Sequence, residues 1–176
     1  SVYATRVGLS ALIAVPATTS DAVGYDVHPG ESIQAAIIAS PSGERISIEP
    51  GTYYENLDIA KTITLDGHHT VLMPGGVVNE SMCTRPAESF PSVSVQAAQV
   101  GDILTGICIH GSVDQNFEPT SYVADVTIND IASVGWNGDG AFGVATDHLD
   151  VHDSEFASNG GYGIFALHSK RVQYHD

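Results

Sequence analysis

The stretch Val126-Thr-Ile-Asn-Asp130, followed by Gly138-Asp-Gly-Ala-Phe-Gly-Val144, recurs later in the chain with the same spacing between its two parts. The second copy is Leu149-Asp-Val-His-Asp153, followed by Gly161-Tyr-Gly-Ile-Phe-Ala-Leu167, and a third starts as Val172-Gln-Tyr-His-Asp176. Repeats of this kind with alternating apolar residues are typical of stacked strands that pair with their equivalents in the next repeat. They predict an all-β fold, a parallel β-helix with coils of about 23 residues.

The sequence before the repeat predicts further short strands and one helix. Residues 31–39 are rich in Ala and Ile, and Ser32 is a suitable N-cap, so we expect a short helix that covers the open N-terminal end of the stack. Residues 74–92 and 111–122 are expected to be irregular excursions. Alternating apolar residues predict strands at 46–48, 57–59, 63–65, 71–73, 93–95 and 107–109.

The segment from Gly30 to Gly67 resembles the N-terminal part of right-handed parallel β-helix proteins of the pectin-lyase-like superfamily. Its matching motifs are Gly-Glu-Ser-Ile-Gln-Ala-Ala-Ile, Ile-Ser-Ile-Glu-Pro-Gly-Thr-Tyr, Glu-Asn-Leu-Asp-Ile and Ile-Thr-Leu-Asp-Gly. Asn159-Gly-Gly-Tyr-Gly-Ile-Phe165 is similar to the repeat consensus, and Gly106-Ile-Cys108 is similar to a strand of secreted bacterial members of undefined activity.

The resemblance covers roughly residues 25–176 and implies a right-handed β-helix. These proteins usually continue for more coils, so we expect 23–176 to be the N-terminal portion of a β-helix domain. The superfamily includes lyases, hydrolases, esterases, epimerases and scaffolds, and the resemblance therefore says little about chemistry.

Residues 1–22 are expected to be a cleaved signal peptide of a secreted protein. Arg6 precedes the apolar run Val7–Val15, and small residues follow it. A disordered or weakly docked tail is the alternative. Cys83 and Cys108 fit one disulfide of an extracellular protein, with a pair of free buried thiols as the alternative.

The charge balance limits the partners. The formal net charge is −15, with only 6 Lys and Arg. This balance argues against nucleic acids and anionic membrane surfaces, because both are bound through cationic side chains. The apolar run near the N-terminus is too short to span a bilayer as a helix, so we expect no membrane insertion. Neutral sugars, cations, or an acidic polymer bridged by cations remain, and we expect a monomer.

The repeat predicts a polar face. Val126 and Ile128 should point inward, so their neighbours point outward. We call the nine outward positions of the three copies the histidine–aspartate face: Asp125, Thr127, Asn129, His148, Asp150, His152, Arg171, Gln173 and His175. The opposite strip is expected to expose the featureless set Ala141, Gly143, Ala145, Ile164, Ala166 and His168.

The histidine–aspartate face has the groups that cleavage of a sugar polymer requires. A hydrolase uses two carboxyl groups, whereas a uronate lyase neutralises the sugar carboxylate and then removes the C5 proton with a base. The predicted catalytic residues are His148, Asp150, His152 and Arg171, and the predicted substrate-binding residues are Asp125, His175, Trp136 and Tyr162. The alternatives are a solvated outer face, with the two aromatic rings covering corners of the chain.

A second ladder consists of Asp130, Asp153 and Asp176, which occupy the same position of successive repeats. Stacked carboxylates repel one another unless a cation lies between them or each one caps backbone N–H groups. We therefore predict calcium at this ladder, with backbone capping as the alternative.

The leading functional prediction is a secreted protein that binds or processes extracellular polysaccharide, as a lyase or a glycoside hydrolase. Uronate-containing polymers are candidate substrates. The alternative is a non-enzymatic scaffold of the cell surface or envelope, or an accessory protein that resembles the copper-processing β-helix proteins of nitrous-oxide reductase assembly. Both rest mainly on the resemblance in fold.

Overall fold

The computed structural model of the protein describes residues 25–84 and 102–176. This part of the chain is rich in strands and contains one short helix. The elements in chain order are β1 Tyr25–Val27, α1 Ile33–Ala39, β2 Glu44–Ile48, β3 Gly51–Glu55, β4 Leu57–Ile59, β5 Ile63–Val77, β6 Ile107–His110, β7 Ser112–Val113, β8 Pro119–Ser121, β9 Val123–Ser133, β10 Ala141–Val144, β11 Thr146–His152, β12 Ile164–Leu167 and β13 Lys170–His175.

Two parallel sheets organise the described residues. The larger sheet has the order β1-β2-β5-β9-β11-β13, and β3 also pairs with β5. The smaller sheet has the order β12-β10-β6-β4, and β7 and β8 form a separate antiparallel hairpin. The prediction of an all-β protein with parallel strands and one short helix is confirmed.

The pairing register reproduces the repeat of the sequence. Leu149 of β11 pairs with Val126 of β9 on one side and with Val172 of β13 on the other. In the smaller sheet, Phe142 of β10 pairs with Phe165 of β12. Equivalent residues of successive repeats therefore lie side by side on neighbouring parallel strands, as predicted.

Helix α1 is held at its N-terminus by two side chains. Ser32 is the N-cap, as predicted, and its hydroxyl oxygen accepts a hydrogen bond from the Ala35 N–H at 3.1 Å. The buried carboxylate of Glu55 accepts from the Ile33 and Gln34 N–H groups at 2.7 and 3.3 Å. A carboxylate at this position meets N–H groups that have no partner within the helix. The helix begins at Ile33, slightly later than the predicted start at Glu31.

The main hydrophobic core is formed by alternate residues of the strands, together with Ile33 and Ile37 of α1. Full burial of an aliphatic side chain stabilises a fold by about 1.5–3 kcal/mol. The strand residues that are almost fully buried in this core include Ile46, Ile48, Leu57, Ile59, Ile63, Leu65, Ile107, Ile109, Val126, Ile128, Leu149 and Val151.

A second cluster covers the outer side of the smaller sheet. It contains Phe142 and Val144 together with the disulfide between Cys83 and Cys108, which confirms the predicted bond. Ala141 lies instead in the main core. The prediction that Ala141, Gly143 and Ala145 are exposed was therefore wrong, because β10 is buried on both sides.

Other differences from the prediction concern strand boundaries. The strands expected at 63–65 and 71–73 are parts of one long strand, β5, whose pairing with β9 shifts between Asp66 and Thr70. Strands β1 and β3 were not predicted, and the excursion at 111–122 contains the hairpin β7–β8. The predicted strand at 93–95 and the predicted signal peptide at 1–22 lie outside the described residues.

Candidate functional site

The histidine–aspartate face is a set of neighbouring side chains on β9, β11 and β13. Thr127 pairs with Asp150, which pairs with Gln173. Asn129, His152 and His175 form the next row in the same way. The structure therefore brings the predicted residues of this face together on one sheet.

A residue with a left-handed backbone recurs near the start of each of these strands. Asp125, His148 and Arg171 have φ angles of 51°, 64° and 49°, and the ladder pairing passes over them on all three strands without a change of register. Left-handed φ values are rare for residues other than glycine, so each of these positions carries a cost in backbone strain.

Two of these left-handed positions pair an imidazole with a carboxylate. His148 Nδ1 lies 2.7 Å from Asp125 Oδ1, and the side chains are 42% and 64% exposed. Within the described residues, His148 Nε2 makes no hydrogen bond. A carboxylate at Nδ1 fixes the ring orientation and favours the tautomer with a basic Nε2, which is the arrangement of a general base.

Two cations lie beside this pair. Arg171 Nε donates to Asp147 Oδ1 at 2.7 Å, and this hydrogen bond holds the pKa of Asp147 below its ordinary value. The ammonium group of Lys170 lies 3.9 Å from the centre of the Tyr122 ring. Lys170 and Asp147 are paired neighbours in the ladder. His148 is therefore a candidate base, and Arg171 and Lys170 are positive charges beside it that attract an anion.

Sequence reasoning missed Asp147, Lys170 and Tyr122. Strict alternation assigns Asp147 and Lys170 to the inner side of their strands, whereas in the structure Asp147 contacts Arg171 and Lys170 lies over the Tyr122 ring. The repeat itself contained the available signal, since Ala124, Asp147 and Lys170 hold the same position in successive copies.

The far end of the face contains two more histidines. His175 Nε2 lies 3.0 Å from Asp150 Oδ1, and its ring stacks on that of His152 with the centroids 5.6 Å apart. His152 Nδ1 lies 3.0 Å from the carboxylate of Asp153. Each of the three histidines of the face therefore contacts a carboxylate through one ring nitrogen.

Contacts of the Asp66 side chain connect the histidine–aspartate face to β5. The buried carboxylate of Asp66 accepts a hydrogen bond from the Asn129 amide at 2.7 Å and forms an ion pair with Arg45. Burial works against the charged carboxylate, but these two partners outweigh it and lower the pKa of Asp66. These contacts of Asp66 therefore help to hold the sheet on which the histidine–aspartate face lies.

The aspartate ladder borders a groove of about 300 Å³. Asp130 Oδ2 accepts the His69 N–H at 2.9 Å, so backbone capping, the predicted alternative, occurs at this residue. In residues 25–84 and 102–176, no group of three or more His, Cys, Asp or Glu side chains is arranged to hold a metal ion. Calcium at Asp130, Asp153 and Asp176 stays a prediction.

The two aromatic residues predicted to contact a sugar differ in burial. Trp136 is 2% exposed and belongs to the main core, so the prediction that it stacks on substrate was wrong. Its ring is enclosed by the residues of that core and is closed to a sugar. Tyr162 is 63% exposed, and its ring stacks on Phe165 at a centroid distance of 5.1 Å. Tyr162 retains an accessible aromatic surface.

Among the described residues, no helix has the length and apolar character needed to cross a membrane. Comparisons with protein-family models, curated proteins and solved structures found no match to this chain.

Proposed function

We propose that the protein is a secreted, right-handed parallel β-helix that binds extracellular polysaccharide along its histidine–aspartate face. The β-helix is supported by the pairing of equivalent residues of successive repeats, on parallel strands, in both sheets. Secretion is supported by the disulfide between Cys83 and Cys108, because such bonds persist in oxidising compartments.

The observation that carries the proposal is the pair of His148 and Asp125 beside Arg171 and Lys170. A sugar polymer that contains uronate would place a carboxylate near the two cations, and its C5 proton near His148 Nε2. These are the groups required for β-elimination at a uronate. The base takes the proton, the C5–H electrons form the C4–C5 double bond, and the C4–O bond breaks. The leaving oxygen keeps the electron pair of that bond and takes a proton from water.

The charge close to His148 suits a uronate polymer better than the net charge of the chain does. The chain has a formal charge of −15, which repels a polyanion at a distance. Beside His148, however, the charges of Asp125 and Asp147 are balanced by those of Lys170 and Arg171, so this part of the face is close to neutral. A carboxylate arriving there meets a guanidinium oriented by Asp147.

Binding is tested first with a glycan array of neutral and uronate-containing polymers, with and without calcium. We expect retention of uronate polymers by the wild-type protein and a loss of retention when His148, Asp150 and His152 are replaced together by Asn. His28→Gln is the control, because His28 pairs with Glu49 in a different part of the fold. Equal retention of all three proteins would reject the face as the binding site.

A non-enzymatic scaffold is the second candidate function. It is favoured by the many contacts of the charged side chains with one another, for example Arg171 with Asp147 and His175 with Asp150. Cross-strand pairs of this kind stabilise a solvent-facing sheet without any ligand. A protein that binds no glycan and whose stability falls when these pairs are removed would fit the scaffold.

A further inference from the structure

His110 lies at the end of β6 and contacts the neighbouring strand β4. Its Nε2 lies 3.2 and 3.3 Å from the two carboxylate oxygens of Asp58, and its Nδ1 lies 2.9 Å from the carbonyl oxygen of Gly111. The side chains of His110 and Asp58 are 19% and 24% exposed, so water screens this contact less than it screens the other histidine–carboxylate pairs.

Both ring nitrogens of His110 therefore face hydrogen-bond acceptors. A neutral imidazole donates from only one nitrogen and presents a lone pair at the other, whereas an imidazolium donates from both. A neutral His110 would direct a lone pair at either the Gly111 carbonyl or the Asp58 carboxylate. The geometry matches the charged ring.

Asp58 gives a second reason for charge on His110. Its Oδ1 atom is buried and has no hydrogen-bond partner within the described residues, and the closest positive group is the His110 ring at 3.2 Å. A buried carboxylate oxygen without a partner is costly unless a nearby charge compensates it. The ring is neutral above its pKa, and this compensation is then lost.

Asp58 also connects β4 to helix α1. The Asp58 N–H donates to the Gln34 side-chain oxygen at 2.8 Å, and the Gln34 amide donates to the Asp58 carbonyl at 3.1 Å. Strand β4 lies at the edge of the smaller sheet, where it pairs with β6. The contact of Asp58 with His110 therefore helps to hold the edge strand and the helix attached to it.

We propose that His110 is a proton-operated latch, which fastens β4 and α1 to the smaller sheet in mildly acidic solution and loosens as the solution becomes alkaline. Around His110, Asp58 of β4 is the charged side chain that acts on the ring. Cys108 of β6 is in the disulfide, and Val144, which pairs with His110 from β10, is uncharged.

The pKa of His110 supports this direction. The hydrogen bond to Asp58 raises the pKa of His110 above its ordinary value of 6.5, and the Gly111 carbonyl adds to the effect, although burial opposes it. A raised pKa means that the folded state binds the proton more tightly than the unfolded chain does. The added stability is complete below the unfolded pKa and is lost as the pH rises through the folded pKa.

The test measures the folding equilibrium constant by denaturant unfolding at several pH values for the wild type, His110→Gln and His68→Gln. At about pH 5.5, we expect His110→Gln to lower the constant roughly tenfold, the value of one charge-assisted hydrogen bond, and to lower it much less at about pH 8.5. His68 is the control, because no carboxylate lies within ion-pair distance of it among the described residues.

The His68→Gln control separates the effect of His110 protonation from the effect of the protein's net charge. Acidification reduces the net charge of this acidic protein in all three variants, so a common rise in stability carries no information about His110. If His110→Gln lowered the folding equilibrium constant by the same factor at both pH values, the proposal would be overturned. If that variant does not fold, nitrogen NMR of the wild type decides: protons on both ring nitrogens of His110 at about pH 6.5 support the latch, and a neutral tautomer contradicts it.

Discussion

His148 Nδ1 lies 2.7 Å from Asp125 Oδ1, and the two residues occupy the same left-handed position of neighbouring parallel strands. This relationship joins the architecture to the proposed chemistry. The sequence repeat places the residues side by side, and both side chains lie on the exposed face. The carboxylate then orients the imidazole so that Nε2 is available as a base.

Replacement of Asp125 tests this orientation. In Asp125→Asn the ring loses the negative partner that favours its reactive tautomer, so we expect cleavage of a uronate polymer to fall by about 10-fold to 100-fold, with binding nearly unchanged. The free energy of unfolding should change by less than about 1 kcal/mol, because the pair is exposed to solvent. A variant with full activity would show that Asp125 does not orient His148.

Removal of the helix cap tests how the N-terminal end is held. Glu55→Ala deprives the Ile33 and Gln34 N–H groups of their buried acceptor and also removes a contact with the Ser32 hydroxyl. We expect a loss of about 2–4 kcal/mol in the free energy of unfolding, and faster hydrogen exchange in α1. The exposed Glu80→Ala is the matched control. Equal stabilities of the two variants would contradict this role of Glu55.

Two glycines test the close packing around the smaller sheet. A Cβ atom at Gly106 would lie 2.2 Å from Ser133 Oγ and 2.4 Å from Trp136 Nε1, whereas one at Gly143 would lie 3.4 Å from its closest neighbour. We expect Gly106→Ala to destabilise the protein by about 1–3 kcal/mol and Gly143→Ala to cost less than about 1 kcal/mol, measured by denaturant unfolding. The reverse order would show that the packing at Gly106 is looser than described.

The aspartate ladder predicts a response to chelators. If calcium binds at Asp130, Asp153 and Asp176, removal of cations should lower the melting temperature, because the stacked carboxylates then repel one another. Restoring calcium should restore the melting temperature, whereas magnesium should be less effective. An unchanged melting temperature in excess chelator would leave backbone capping, as seen at Asp130, as the explanation of the ladder.

The parallel register could be predicted from the sequence because residues stacked on neighbouring strands share one environment. Val126, Leu149 and Val172 therefore repeat as apolar residues, and the structure pairs them as expected. The cap at Ser32 was also predictable, because a hydroxyl side chain just before an apolar helical segment has a local role.

The left-handed backbone at Asp125, His148 and Arg171 could not be predicted, because such a conformation is usually marked by glycine. As a result, the roles of Asp147 and Lys170 were missed. The burial of both sides of β10 was also not predicted, because an alternating pattern identifies the buried side of a strand only when its other side faces water. Phe142 is buried beneath the disulfide segment, while Ala141 packs in the main core.

The most direct test of the proposed function is an assay for unsaturated uronate ends, followed by ultraviolet absorbance, with the wild-type protein and His148→Gln on uronate polymers with and without calcium. We predict product from the wild type and a rate at least about 100-fold lower from His148→Gln, because the variant lacks the base. His28→Gln should be as active as the wild type. No product from the wild type on any uronate polymer, or equal rates with and without His148, would contradict the proposed chemistry.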